Sequence, residues 1–327
     1  MPGSTDPAIL AFIRSQPQAV RDAAAAALAT APAPAPAPTL LFGCGTSYHA
    51  ACLAVGPGAW AQPAYEVWQH APGPAAPGRA VAVSHSGGTA ATVRAAERAR
   101  SLGAAEVVAV TCRPDGPLGQ VCDRAVTVPA ADETVGPKTK GYAASAAAVL
   151  ALVEAAAGLD GVAARAEAAA RDMEAVLDAD RAAFEGLLAL ARAARHLWLL
   201  GGGPLRSVAR EGALKVAEMA AFPARALEQE EFLHGWRRAA DRDHLVVALA
   251  PAGGETERLD ELARMCAEQG ARLAVVQGAG APALARADLT LALPAAPAPG
   301  PWAALAYVVP LQILAYAMGT PGAEYWP

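Results

Sequence analysis

The stretch Leu40-Leu41-Phe42-Gly43-Cys44-Gly45-Thr46-Ser47-Tyr48-His49-Ala50 decides the fold. Three apolar residues run into a glycine turn, and a helical pattern starts directly after it. A short apolar run bounded by glycine reads as a buried strand. A strand that feeds straight into a helix is the opening of a strand–helix–strand unit, and such units build a parallel sheet with helices on both faces. The event recurs. Apolar runs stand at 40–42, 81–83, 107–110 and 125–128, and again at 197–200, 245–249, 273–276 and 289–293. Helical patterns such as 90–102 and 256–269 fill the intervals. Matching runs start 157, 164, 166 and 164 residues apart, so the chain reads as an internal duplication. The expected fold is α/β, with two doubly wound parallel-sheet lobes of flavodoxin-like or Rossmann-like form.

Towards the ends the pattern changes. Residues 6–29 read as a helix with a break at Gln16-Pro17, and 31–38 alternate Ala and Pro, a spacer that cannot continue a helix. The expected organisation is an N-terminal helix (1–30), the spacer (31–38), a first lobe (39–155), linking helices (156–190) and a second lobe with a C-terminal helix and tail (191–327). No charge falls between Asp288 and Glu324, and 301–319 is almost wholly apolar. Pro310 and Gln312 interrupt it and no Lys or Arg flanks it. It therefore reads as a buried helix and not as a membrane span.

Composition narrows the function. The 327 residues suffice for two domains with sizeable cores. Apolar residues make up 54% and charged residues 17%, which excludes a disordered chain. The net charge is −5 with no basic run, against the basic stripe of a nucleic-acid binder. Cys44, Cys52, Cys112, Cys122 and Cys266 are scattered and odd in number, which reads as free thiols in a reducing, cytoplasmic setting rather than disulfides or a zinc site. No secretory signal pattern opens the chain. Of 26 basic residues only Lys138, Lys140 and Lys215 are lysine. Either they survive a compositional bias, or some do what arginine cannot, since only lysine offers a titratable amine.

In doubly wound sheets ligands bind outside the carboxyl ends of the strands. Gly45, Thr46 and Ser47 follow the first run, and Ser84-His85-Ser86-Gly87-Gly88-Thr89 follows the second. Each turn alone is consistent with a simple helix cap. Two hydroxyl-rich glycine turns in one lobe point to a phosphorylated ligand held by neutral hydroxyls and backbone amides. The turns match neither a Walker loop nor a dinucleotide fingerprint, and no metal or cofactor is implied. His85 either faces the ligand or is solvated. The second lobe's turn, Gly201-Gly202-Gly203-Pro204, lacks the hydroxyls. The helix after it carries Glu211, Lys215 and Glu218 on one face. The ordinary alternative is an exposed ion pair. His234 follows in Glu230-Glu231-Phe232-Leu233-His234-Gly235. A carboxylate, an amine and an imidazole together can shuttle protons beside a carbonyl.

Gly43 to Ala50, with Ser84-x-Ser86-Gly87-x-Thr89, resembles the first SIS (sugar isomerase) domain in the isomerase half of glucosamine-6-phosphate synthase. Glu211-Gly212-Ala213-Leu214-Lys215-x-x-Glu218 and Glu231-x-x-His234-Gly235 resemble the second, and Glu133 with Lys140 matches that family's Glu-x6-Lys segment. The resemblance implies phosphate binding by Thr46, Ser47, Ser84, Ser86 and Thr89. It implies Glu218 as the base between C1 and C2 of an opened sugar, and Lys215 beside it. It implies His234 as the ring-opening group, donated across a homodimer interface. Gly45, His85, Glu133 and Lys138 join the expected sugar-phosphate site.

Departures matter. No glutamine-hydrolysing domain is present in this sequence, so ammonia transfer from glutamine is not expected. No lysine follows Lys215, so the synthase's C-terminal lysine has no counterpart. His85 replaces a Gln, Gly88 an acidic residue, Lys138 a small hydroxyl residue and Trp236 a Pro. The expected activity is that of an enzyme on an amino-sugar phosphate, glucosamine-6-phosphate deaminase/isomerase-like, with fructosamine-6-phosphate deglycation as the alternative. A non-catalytic sugar-phosphate sensor is the competing class. No nucleic-acid or membrane partner is expected.

Overall fold

The computed structural model describes residues 6–31, 37–70, 76–179, 181–251, 256–281, 284–294 and 300–326. Most of the expected Ala/Pro spacer, 32–36, lies outside the described residues. The chain runs α1 (Ala8–Arg14), α2 (Gln16–Thr30), β1 (Thr39–Gly43), α3 (Thr46–Cys52), β2 (Ala59–Pro63), α4 (Ala64–Gln69), β3 (Arg79–Val83), α5 (Ala90–Ser101), β4 (Glu106–Thr111), α6 (Pro117–Val121), β5 (Arg124–Thr127) and α7 (Lys140–Ala156). It continues as α8 (Val162–Leu177), α9 (Arg181–Ala193), β6 (His196–Leu200), α10 (Pro204–Ala220), β7 (Ala224–Leu227), α11 (Gln229–Leu233), β8 (His244–Ala250), α12 (Thr256–Gln269), β9 (Arg272–Gln277), β10 (Leu289–Ala292) and α13 (Ala304–Gly319).

The strands form two five-stranded, all-parallel sheets, ordered β2-β1-β3-β4-β5 and β10-β9-β8-β6-β7. Read from its other edge, the second order repeats the first. Corresponding strands start 157, 165, 165, 166 and 165 residues apart. The duplication reaches single dihedral angles. Gly45, which turns β1 into α3, has φ +52° and ψ −127°; Gly203, which turns β6 into α10, has φ +52° and ψ −131°. A side chain is strongly disfavoured in that region, which fixes glycine at both points.

Two strands escaped the apolar-run reading, β2 and β7. Both are edge strands lying beside the first strand of their sheet. Their residues are mostly half-buried and short of large apolar side chains, and β2 ends in Pro63, which an edge tolerates.

The chain divides into two compact units, Ser15–Ala170 and a second that joins Met1–Arg14 to Arg171–Pro327. The break at Gln16-Pro17 is thus a change of unit. Pro17 opens α2, where a missing N–H costs nothing, and Ile9 and Ile13 of α1 are buried in the second unit, where α1 packs on α13.

In the first unit Leu40, Phe42, Ala82, Ala95 and Val107 form a core between sheet and helices. In the second, Trp198, Leu200, Val246, Leu262 and Phe232 do the same. Small residues let the layers close up. A Cβ on Gly212 of α10 would stand 2.6 Å from Leu311 of α13 and 2.9 Å from Leu199 of β6. The apolar stretch near the C-terminus is α13, buried from Ala304 to Ala317 with Pro310 inside it. A helix apolar all round must be buried, and its neighbours here are α10, α9 and α1. Among the described residues no helix is long and apolar enough to cross a membrane. After α13 the tail folds back on α9: Arg181 pairs with Glu324 at 3.0 Å and lies over the Tyr325 ring at 4.3 Å, and Phe184 stacks on Trp326.

Candidate functional site

In the first unit the two hydroxyl turns leave β1 and β3, which are paired neighbours with Leu40 opposite Ala80 and Phe42 opposite Ala82. The chain leaves β1 for β2 on one side and returns to β3 on the other, so both turns stand at the switch point of the sheet. The β1 turn is pressed close. A Cβ on Gly43 would meet the Ser47 carbonyl carbon at 2.8 Å and the Val83 oxygen at 2.9 Å. Cys44 Sγ reaches Thr92 Oγ1 of α5 at 3.7 Å, which ties one turn to the helix of the other. Thr46 and Ser47 are half-buried. In the second turn Ser84 is buried and its Oγ lies 3.2 Å from Oγ1 of Thr89, while the exposed Ser86 accepts the Gly88 N–H at 3.3 Å.

His85 is half-buried, not solvated. Its Nδ1 stands 3.5 Å from Cys112 Sγ. Burial, then the Lys138 ammonium, lowers the imidazole's pKa, while burial pushes the Cys112 thiol up to about 11. A protonated thiol therefore faces a neutral ring. Glu133 takes a structural place that its motif does not announce. Oε1 accepts the N–H of Thr139 at 2.7 Å, the Thr139 hydroxyl at 2.9 Å and the Lys140 N–H at 3.0 Å; Oε2 accepts the Gly141 N–H at 2.7 Å. The carboxylate thus caps the start of α7, where orphan N–H groups and the helix dipole both favour an anion. Lys138 Nζ donates to the backbone oxygens of Glu133 and Val135. Lys140 Nζ binds Asp132 at 2.7 and 2.9 Å, which holds the Asp132 carboxyl below its ordinary pKa.

In the second unit α10 carries Glu211, Lys215 and Glu218. Lys215 is fully buried, with Nζ 3.1 Å from Oε1 of Glu211 and 2.5 Å from Oε2 of Glu218. Glu211 is also fully buried, while the Glu218 side chain is 34% exposed. This is no exposed surface pair. Burial pulls the Lys215 pKa down, but Glu211 and Glu218 outweigh it and the net direction is upward. Lys215 is thus a fixed ammonium, unsuited to imine formation, and it holds the one carboxylate of the three groups that reaches solvent.

His234 stands at the end of α11, its side chain 78% exposed and Nε2 3.4 Å from Oε2 of Glu230. Trp236, in place of the family's proline, lies under Arg225, whose guanidinium carbon is 3.6 Å from the ring centre. A cavity of about 300 Å³ opens at the carboxyl edge of β6 and β8, lined by Gly202, Glu228, Glu230, Leu249, Arg258 and neighbours.

The motifs, the double sheet and the repeated glycine turns all point one way, and residues 63–155 and 190–319 match the SIS domain. The chain belongs to the SIS domain family. Glutamine–fructose-6-phosphate aminotransferase [isomerizing] of Caulobacter vibrioides is 29% identical over 250 residues, 72% of this chain and 40% of that protein. The chain thus spans less than half of that relative's length. Among solved structures, the C-terminal domain of glucosamine-fructose-6-phosphate aminotransferase from Francisella tularensis superposes with a TM-score of 0.76 at 19% identity, covering 95% of each chain. Glucosamine-6-phosphate deaminase from Thermotoga maritima gives 0.72 at 19% identity, covering 95% of this chain and 93% of that one. These two likenesses speak for the fold.

Within this SIS pair the structure gathers Thr46, Ser47, Ser84, Ser86 and Thr89 at one switch point and joins Glu211, Lys215 and Glu218 in one cluster. His234 pairs with Glu230 rather than with the α10 cluster of its own unit. Sequence reading missed the cap made by Glu133, the Cys112 thiol on His85 and the Glu230–Arg258 pair beside His234. Glu133 had a signal, a carboxylate seven residues before the start of α7. Cys112 and Arg258 had none, because their partners lie 27 and 28 residues away.

Proposed function

We propose that the chain is a phosphosugar enzyme of the aldose–ketose type that acts on an amino-sugar phosphate, with glucosamine 6-phosphate as first substrate. The observation that carries this reading is the α10 cluster, in which a buried ammonium fixes a partly exposed carboxylate. A ligand sensor has no need of such a group. The hydroxyls of Thr46, Ser47, Ser84, Ser86 and Thr89, with the backbone at Gly45, hold the phosphate.

The steps follow from the residues. His234 moves the proton that opens the sugar ring. Glu218 takes the proton from C2 of the open aldose, leaving a planar enolamine, and returns it to C1. The product is an imine at C2. Water adds there, ammonia leaves, and fructose 6-phosphate remains. Lys215 keeps the Glu218 carboxylate in place between the two carbons. The exposure of His234 supports a site completed by a second copy of the chain, so the enzyme is a homodimer in this reading.

Breakdown rather than synthesis is the direction taken in this reading. The tail is clasped to α9 by Arg181 and Phe184. The same groups suit deglycation of a fructosamine 6-phosphate, which differs in its leaving amine.

The test is ammonia release from glucosamine 6-phosphate, with Glu218→Gln as control. The variant is expected to lose about 10²-fold or more in kcat while KM stays close to wild type. Full turnover by Glu218→Gln sinks the assignment. Thermal stabilisation by the sugar phosphate without any turnover favours the sensor instead.

A further inference from the structure

Glu230 was given no role by the Glu231-x-x-His234-Gly235 motif, and we propose that it is the positioning residue for His234. The proposal rests on the reading of His234 as the ring-opening group. Glu230 lies in α11 and His234, one turn later, caps its end, with Nε2 of His234 3.4 Å from Oε2 of Glu230. The backbone repeats the link, since the His234 N–H donates to the Glu230 carbonyl at 2.9 Å.

What makes Glu230 more than a surface carboxylate is its anchor. The same Oε2 accepts Nη2 of Arg258 at 2.6 Å, and Nη1 of Arg258 donates to Glu261 at 2.5 Å. Arg258 and Glu261 stand on α12, whose other face buries Leu262, Ala263 and Cys266 in the core. At the start of α11, Glu228 accepts the N–H groups of Glu230 and Glu231 at 2.9 and 3.2 Å. Phe232 and Leu233 are buried beneath. The turn is therefore rigid, and the carboxylate is held between a fixed helix and an exposed imidazole.

Within its own unit, an imidazole that is 78% exposed has little wall to set its rotamer. Glu230 supplies the missing constraint. A carboxylate oxygen 3.4 Å from Nε2 favours the tautomer with its proton on Nε2, which leaves Nδ1 as the atom open to a sugar hydroxyl. The pair also balances the charge when His234 takes up a proton. An exposed i,i+4 pair contributes only a few tenths of a kcal/mol to folding. Its loss should therefore be felt in the reaction and hardly in stability.

The experiment compares solvent-hydrogen exchange at C1 of two ketoses. Fructose 6-phosphate closes a ring; 5-deoxyfructose 6-phosphate has no hydroxyl with which to close one. Glu230→Gln is expected to slow exchange into fructose 6-phosphate by about tenfold or more, with KM within about twofold, and to leave the acyclic substrate unchanged. Glu230→Asp should recover part of the rate. His234→Ala should show the same selectivity more strongly. If His234→Ala is selective and Glu230→Gln is not, the positioning role is overturned. If His234→Ala affects both sugars equally, or neither, the ring-opening assignment itself fails. Nitrogen-15 spectra of the imidazole decide the point without turnover. The wild type should show His234 with its proton on Nε2, and Glu230→Gln should show a mixture. An unchanged tautomer refutes the proposal.

Discussion

Lys215 shows how far one residue's meaning depends on burial. On the helix wheel it is half of an ordinary i,i+4 pair. In the fold both it and Glu211 are sealed from water, and Glu218 alone opens outward. Removing one partner of a buried pair is far more damaging than removing a surface one. Lys215→Met should cost about 3–5 kcal/mol, since Glu211 loses this ammonium while staying buried. Urea unfolding with an unchanged slope checks it; a loss under about 1 kcal/mol would mean that water reaches the pair. His85 makes the complementary point. Its place in the turn was legible, but its neutral state depends on burial, on Cys112 and on Lys138, none of which a sequence window contains.

Elements were legible where they bury apolar runs. β1, β3, β4, β6, β8 and β9 were visible because their strands are covered on both faces and read as continuous Val, Leu and Ala. β2 and β7 were not, because their apolar residues form no run of the kind that β5 and β10, edge strands too, still show. Helix ends were the other blind spot. α10 stops at Ala221, which sits at φ +48°, the only non-glycine residue in the left-handed region among those described. A Cβ there is strained, and helices usually close on glycine at this point. Ala221→Gly should stabilise the protein by about 1 kcal/mol or more without altering the α10 cluster. Equilibrium unfolding measures it, and a loss of stability would show that the Ala221 methyl packs more than it strains.

Across the molecule, duplication preserved the scaffold and divided the polar side chains. Both copies keep the strand order, the offset near 165 and the same glycine dihedrals. One copy kept hydroxyls at its switch point, and the other carries the carboxylates, the ammonium and the imidazole. Each copy also holds a histidine with a lowered pKa: His85 in the first, and His196 in the second. His196 lies among Trp198, His244 and Arg225, and burial, then His244 and Arg225, keeps it neutral in the fold. Near His244 the counter-charge is Asp241, 3.9 Å away. Below pH of about 6.5 the unfolded chain binds these protons first, so stability present above that pH is lost on acidification. Tm should fall between pH 7.5 and 5.5. His196→Phe, which retains a ring against Trp198 and His244, should fall less steeply; an equal fall in both proteins would clear His196 of the effect.

The three lysines carry a last consequence. Lys215 is closed inside α10, Lys138 gives its protons to two loop carbonyls, and Lys140 is clamped on Asp132. The rest of the positive charge is guanidinium. Acylating reagents, amine crosslinkers and conjugating enzymes all require a lysine that can shed its proton at the surface. On this protein the reachable side-chain targets are Lys138 and Lys140 at the start of α7, so an amine footprint reads that place and little else.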